Sequence, residues 1–231
     1  MEELYTTWKA IGVAGGDLSF FQDFFVKFYQ AFIEGDRWLQ YLNGVKTTLL
    51  VTALALILGI VLGVLVAMLR TAHDQQRPGH RNPILAVLNL ICKIYVTVIR
   101  GTPMMVQLLI MGFVIFASSR NFTMIGTLTL GINSGAYVSE IVRGGLMSVD
   151  KGQMEAGRSL GLNYMTTMRF IVIPQAVKAI LPALGNEFII LLKDTSLITV
   201  IGGKELLYAA QGIYNRTYEQ MFPLIGTAAL Y

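Results

Sequence analysis

Charge is what this chain has least of. Only 14% of its 231 residues are Asp, Glu, Lys or Arg, against 54% apolar, where a soluble domain carries about 25% charged residues. A mean hydropathy of +0.59 points the same way: the chain belongs in a membrane. The single cysteine, Cys92, excludes an internal disulfide framework and a cysteine-based metal cluster, and the two histidines, His73 and His80, flank a polar loop. There is no GxxxxGK[ST] phosphate loop, no HExxH, no GxSxG elbow and no histidine inside an apolar run. Nucleotide hydrolysis and intramembrane catalysis therefore lack their residues. The net charge of +4 does not mark a nucleic-acid surface, because the basic residues sit at the ends of apolar runs, as topology signals do. The opening MEELYTTWKA has early acids and no short apolar core before a small-residue cleavage site, so it does not read as a signal peptide.

What is present is a series of apolar runs. Thr47 to Leu69 is 23 residues without a charge, about 34 Å as a helix and enough to cross the hydrocarbon core. Arg70, Arg77 and Arg81 follow it and mark a cytoplasmic loop, which puts the N-terminal tail outside. Residues 83–119 are too long for one straight span and are interrupted by Lys93, Arg100, Gly101 and Pro103. One crossing with a break at RGTP keeps Lys151, Arg158, Arg169 and Lys178 on the basic side. Residues 124–149 return inward, about Ala176 to Ile201 goes out again, and MFPLIGTAALY is 11 residues long, short of the roughly 17 to 25 a span needs. About five crossings are expected, the last cut short. Residues 1–42 differ: in FFQDFFVKFYQAF the phenylalanines gather on one helical side, which predicts an extracytoplasmic amphipathic helix at the membrane interface. Residues 43–231 form the membrane domain.

Between the late runs lies EAGRSLGLNYMTTMRFIVIP, residues 155–174. Glu155, Ala156, Gly161, Ile171 and Pro174 have the spacing of the EAA motif of ABC importer permeases, with Gly157 in place of the third Ala and Ile173 in place of Leu. A short helix ending at a Gly161 turn makes a compact knob. Glu155 and Arg158 offer charged contacts, and Ala156 and Gly157 permit close approach. Further stretches, VIRGTPMMVQLL, LGINSGAYVSEIVRGGLMSVDKGQMEAGRSLGL and IPQAVKAILPALGNEFIILLKDTSLITVIG, resemble the polar amino-acid subfamily of these permeases, from about Asn43 to Met221. The resemblance implies an all-α type I ABC importer transmembrane domain in a bacterial plasma membrane, with a cytoplasmic coupling helix. It also implies two permease subunits, identical or not, two cytoplasmic ATPase subunits that use ATP and Mg, and an extracytoplasmic amino-acid-binding protein. No cofactor is expected on the chain itself.

Polar residues inside spans are costly and face a cavity or another helix. Asn133, Tyr137 and Glu140 fall at i, i+4 and i+7 and are expected to form a wall of the pathway. Glu140 alternatively pairs with Arg143. Glu187 and Asp194 share one face of the next span, and Asn186 and Lys193 the neighbouring one. An amino acid needs acceptors for its ammonium and donors for its carboxylate. Gln107, Asn133, Asn186, Glu187, Thr195 and Ser196 are the candidates. Lys193 and Asp194 read rather as a gate or subunit contact, and Arg100 and Gln107 either touch substrate or hold the RGTP bend. An ion-coupled carrier using Glu140 and Glu187 is the rival reading, but it leaves the EAA spacing unexplained.

Overall fold

The computed structural model describes residues 1–76 and 82–231, which are helical with short connections and, among the described residues, without strands. Arg77, His80 and Arg81 lie outside them. The helices are α1 (Glu2–Val13), α2 (Phe20–Phe32), α3 (Arg37–Asp74), α4 (Pro83–Gly101), α5 (Met104–Ile110), α6 (Phe122–Met147), α7 (Lys151–Ser159), α8 (Tyr164–Thr167), α9 (Ile173–Asp194), α10 (Leu206–Thr217) and α11 (Met221–Leu230). By length and composition the stretches Glu34–Asp74, Pro83–Gly101 and Tyr164–Ile201 can each cross a membrane.

α3 is turned inside out relative to a soluble helix. Leu49, Leu50, Leu54, Ile57, Val61, Leu65 and Met68 are 47–59% exposed, while Gly44, Thr48, Thr52, Ala55, Gly59, Gly63 and Ala67 are buried. Lipid tails are as apolar as leucine, so helix contact in a bilayer comes from close packing of small residues. The buried face of α3 meets α6, whose own buried residues include Gly126, Gly131, Ser134, Gly135 and Ser139. A Cβ on Gly59 would lie 2.6 Å from Ser134 Oγ, and one on Gly63 2.6 Å from Val138 Cβ and 2.9 Å from the Ser139 nitrogen. α6 is 26 residues long, about 39 Å, and carries so many polar and small residues because protein, not lipid, surrounds much of it.

α4 starts with Asn82 accepting from the Ile84 N–H at 2.9 Å and Pro83 in the first turn, and ends at the expected break. Thr102 is extended (ψ 143) and Pro103, at ψ 136, restarts the chain as α5. Pro lacks the N–H the helix would need there, and it disfavours helical backbone in the residue before it. α5 runs into a wider turn, Met111–Ile115.

The N-terminal helices form a hairpin. Tyr5 stacks on Tyr29 at 4.4 Å, and Trp8 meets Phe25 edge-on at 5.4 Å. Lys9 donates to Glu34 at 2.5 Å, and Arg37 lies 2.9 Å from the same carboxylate. That hydrogen bond to Glu34, with a second to Tyr5, holds the Lys9 ammonium above its ordinary pKa despite partial burial. α2 docks along α11: Phe24 and Phe28 flank Phe222 at 5.0 and 6.2 Å, and Phe32 fills the space a side chain on Gly226 would need. Phe20 and Phe21 stay 76% and 79% exposed. The division expected at residue 42 falls inside the unbroken helix α3.

We expect Gly63→Ala to destabilise the detergent-solubilised protein by about 1–3 kcal/mol through overpacking. Gly144→Ala, whose Cβ meets nothing within 4 Å, is the control. A lowered melting temperature for the first alone is the expected readout; equal melting temperatures would contradict this account of the α3–α6 contact.

Candidate functional site

Two regions carry the polar residues singled out above. The first lies where α4, α5, α6 and α9 meet. Gln107 is 9% exposed, and its amide nitrogen donates to the carbonyls of Ile99 and Thr102 at 2.8 and 3.1 Å and approaches Thr102 Oγ1 at 2.8 Å. Its oxygen accepts from Asn133 Nδ2 at 3.0 Å. Gln107 thus closes the break that Pro103 opens, and both ends of its amide are in use. A cleft of about 250 Å³, lined mainly by Val98, Ile99, Val106, Ile110 and Ile132, opens beside it.

Along α6, Tyr137 is 38% exposed and carries the Arg100 guanidinium over its ring at 5.2 Å from the centroid. Glu140 is engaged on both oxygens: Arg70 donates to Oε1, and Arg143 Nε lies 3.7 Å from Oε2. The i, i+3 pair expected for Glu140 is therefore present, joined by an arginine seventy residues away that no spacing rule reveals. Arg143 also lies 3.6 Å from Asp74.

On α9, Glu187 turns inward, 5% exposed, and accepts from Ser134 Oγ at 2.8 Å. Asn186, next to it, is exposed, as is Lys193, while Asp194 is half-buried. Among the described residues neither Lys193 nor Asp194 has an ion-pair partner. Thr195 is fully buried and donates to the Leu192 carbonyl at 2.7 Å; Ser196 donates to that of Lys193 at 2.8 Å. Both hydroxyls cap their own helix.

The second region is the knob. Asp150 caps α7 by accepting from the Gly152 N–H at 2.6 Å. At the other end Gly161 adopts φ +82, Leu162 N–H donates to the Gly157 carbonyl at 3.1 Å and Gly161 N–H to that of Arg158 at 3.0 Å. That double bond pattern is the Schellman termination, in which the left-handed residue is best a glycine. Gly157 is buried because Thr167 of α8 lies against it, 2.5 Å from where a Cβ would stand. The departure from Ala in the motif thus has a steric cause. Glu155, Ala156, Arg158 and Pro174 are exposed, as are Leu160 at 80% and Met165 at 70%. Tyr164 donates to Gln75 just past the end of α3, which puts the knob and that end of α3 on the same side.

Residues 84–231 match the family of binding-protein-dependent transport system inner membrane components. The chain belongs to that family. It is an ABC transporter permease of the polar amino-acid type, with the type I importer fold. A protein of Rickettsia typhi that carries the name GlnP is 35% identical over 211 residues, covering 90% of this chain and 89% of the relative. The glutamine transport system permease protein GlnP of Escherichia coli is 42% identical over 134 residues, 55% of this chain and 60% of that one. Among solved structures, an amino acid ABC transporter crystallised with histidines superposes with a TM-score of 0.73 at 40% identity, covering 83% of this chain and 86% of the other. The inward-facing MetNI methionine ABC transporter shares the fold, with a TM-score of 0.68 at 21% identity over 86% and 92% of the two chains.

One buried carboxylate of the permease escaped sequence inspection. Glu205 is 1% exposed, caps α10 by accepting from the Leu207 and Tyr208 N–H groups at 2.8 and 2.7 Å, and also accepts from Thr199 and Tyr231. An acid directly before the apolar LLYAA run was the available signal.

Gln107→Leu keeps the volume but strips the Ile99 and Thr102 carbonyls of their side-chain donor. We expect about 1–3 kcal/mol of destabilisation, read as a lower melting temperature of the detergent-solubilised permease; an unchanged value would mean the break closes without Gln107.

Proposed function

We propose that this permease is half of the translocation pathway of an ATP-driven importer of polar amino acids in a bacterial inner membrane. It works with a second permease subunit, identical or paralogous, and with an extracytoplasmic amino-acid-binding protein. ATP and Mg are used by cytoplasmic ATPase subunits, which dock on α7. The observation that carries this reading is the knob: a helix of nine residues, capped at both ends, anchored through Gly157 on Thr167, and presenting Glu155, Ala156, Arg158 and Leu160 outward. Exposed apolar and charged groups on a fixed backbone suit a partner's groove, and a body so anchored moves as a unit.

The pathway side is supported by polar groups left open at membrane depth. Asn186 and Lys193 are exposed on α9, within a stretch long and apolar enough to cross a membrane, and Tyr137 on α6, which packs along α3; lipid is a poor neighbour for all three. A second permease subunit or a wet pathway suits them instead. Asn133 and Asn186 then supply amide contacts to substrate, Glu187, held by Ser134, shapes the wall from behind, and Lys193 with Asp194 forms a gate or subunit contact. Glutamine is the first amino acid to test, because relatives bear glutamine transport in their names.

The test is ATPase activity of the assembled transporter in proteoliposomes, against a panel of single amino acids loaded on the binding protein. One amino-acid class is expected to stimulate hydrolysis, and Glu155→Arg to return the rate to its unstimulated level with the complex intact. Stimulation that survives Glu155→Arg would remove α7 from the coupling role. Uptake that ignores ATP and follows an ion gradient would remove the importer reading.

A further inference from the structure

Arg100 sits in the last turn of α4, where a cation ordinarily serves the unpaired carbonyls of a helix end. Here that work is done by others. Gln107 takes the Ile99 and Thr102 carbonyls, and Thr102 Oγ1 donates to Val98 at 2.8 Å. Among the described residues the Arg100 side chain makes no hydrogen bond and no ion pair; its one contact of note is the Tyr137 ring. The acid one turn from that ring, Glu140, is already held by Arg70 and Arg143. Tyr137 lies 15 residues into α6 and 10 residues before its end, about 22 Å and 15 Å from the two helix ends. The guanidinium resting on it stands about one helical turn from the Arg70, Glu140 and Arg143 cluster, whose acid is already taken. It is exposed there, permanently charged and with five donors unused.

A charge so placed calls for an anion. No hydrogen bond among the described residues occupies the guanidinium, and its planar fork matches a carboxylate with two parallel hydrogen bonds. On the same helical face, one turn from Tyr137, Asn133 gives its nitrogen to Gln107 and keeps its oxygen free as an acceptor. Resting on the importer reading above, we propose that Arg100 binds the α-carboxylate of the amino acid in transit, with the Asn133 oxygen placed to take its α-ammonium. Both groups belong to every amino acid, so this pair recognises the class and leaves the side chain to other residues.

The experiment compares wild type, Arg100→Gln and Arg100→Lys in the assembled transporter in proteoliposomes, with the binding protein preloaded with L-glutamine, or with whichever amino acid the panel identifies. Arg100→Gln is expected to keep ATP hydrolysis stimulated by the loaded binding protein while the amino acid moved per ATP falls at least about tenfold. Arg100→Lys recovers part of it, and the melting temperature without ligand is unchanged. A second readout omits the binding protein. The amino acid at millimolar concentration raises the melting temperature of the wild-type permease–ATPase complex, its decarboxylated amine does not, and Arg100→Gln abolishes that difference. Wild-type transport per ATP in Arg100→Gln overturns the proposal, as does an equal response of wild type to acid and amine. So does a lowered melting temperature or a separated permease pair in the variant, which would assign Arg100 to a carboxylate of the second subunit. A wild-type transporter that moves no amino acid removes the importer reading itself and is recognised before any variant is made.

Discussion

In a bilayer, apolar surface supplies no force that draws one helix to another, so everything in this permease depends on how closely α3 and α6 approach. Gly59, Gly63, Gly131 and Gly135 leave room where a methyl group would collide with Ser134, Val138, Leu58 and Leu62. With those two helices joined, α4, α5 and α9 pack on α6, and α10 packs on α3. α9 enters through Gly145, against which Ile180 lies, and through the Ser134 to Glu187 bond. α4 is tied by the Tyr95 hydroxyl, which donates to the Ile132 carbonyl at 2.5 Å. A helix at the centre of such a bundle carries serines, threonines and an asparagine at low cost: Thr127, Thr129 and Ser139 donate to carbonyls of their own helix, and Asn133 and Ser134 reach Gln107 and Glu187. The exposed leucines of α3 do the opposite work and meet lipid.

The break at Pro103 would leave carbonyls unpaired at membrane depth, and unsatisfied backbone groups are costly in a medium without water. Gln107 removes that cost from within the same span and passes a hydrogen bond on to Asn133 of α6. The kink is thereby pinned to the central helix. α10 shows a related economy: Glu205 satisfies its first N–H groups, and Thr48 of α3 accepts from Leu206 N–H at 3.2 Å.

Much of this was legible from sequence. The apolar runs, the RGTP interruption and the EAA spacing are local patterns, and they appear as α3, the Thr102–Pro103 break and the capped knob. Periodicity also placed Glu187 and Asp194 on a different face from Asn186 and Lys193. It could not say which face points inward, because that depends on a neighbour: Glu187 faces Ser134, fifty-three residues away, and Asn186 is left exposed. The Arg70 to Glu140 pair and the hydroxyls of Thr195 and Ser196 show the same limit. A polar residue at membrane depth signals a requirement for a partner, and only the fold shows whether its own backbone, another helix or something beyond the chain meets it. The spacing of the N-terminal phenylalanines marks one helical face but does not tell that Phe24, Phe28 and Phe32 close on α11.

The knob and the polar end of α9 are linked by continuous structure. α7 is fixed to α8 by the Gly157 to Thr167 contact, and Gln175 of α9 reaches Gln153 of α7 at 3.1 Å. From Thr167 the backbone runs without interruption through the wide turn Met168–Val172 into α9, and on to Lys193 and Asp194. Pro182 within α9 forgoes one backbone bond but leaves the helix continuous. A displacement of α7 therefore has no loose joint in which to dissipate before it reaches the far end of that helix. There the tighter Thr195–Ile201 segment begins, seated by Ile198 and Ile201 in the core shared with Leu108 and Ile125. α9 meets α6 through one buried side-chain hydrogen bond, Ser134 to Glu187, and the fit of Ile180 on Gly145, so a shift of α9 is passed to the central helix at those two points.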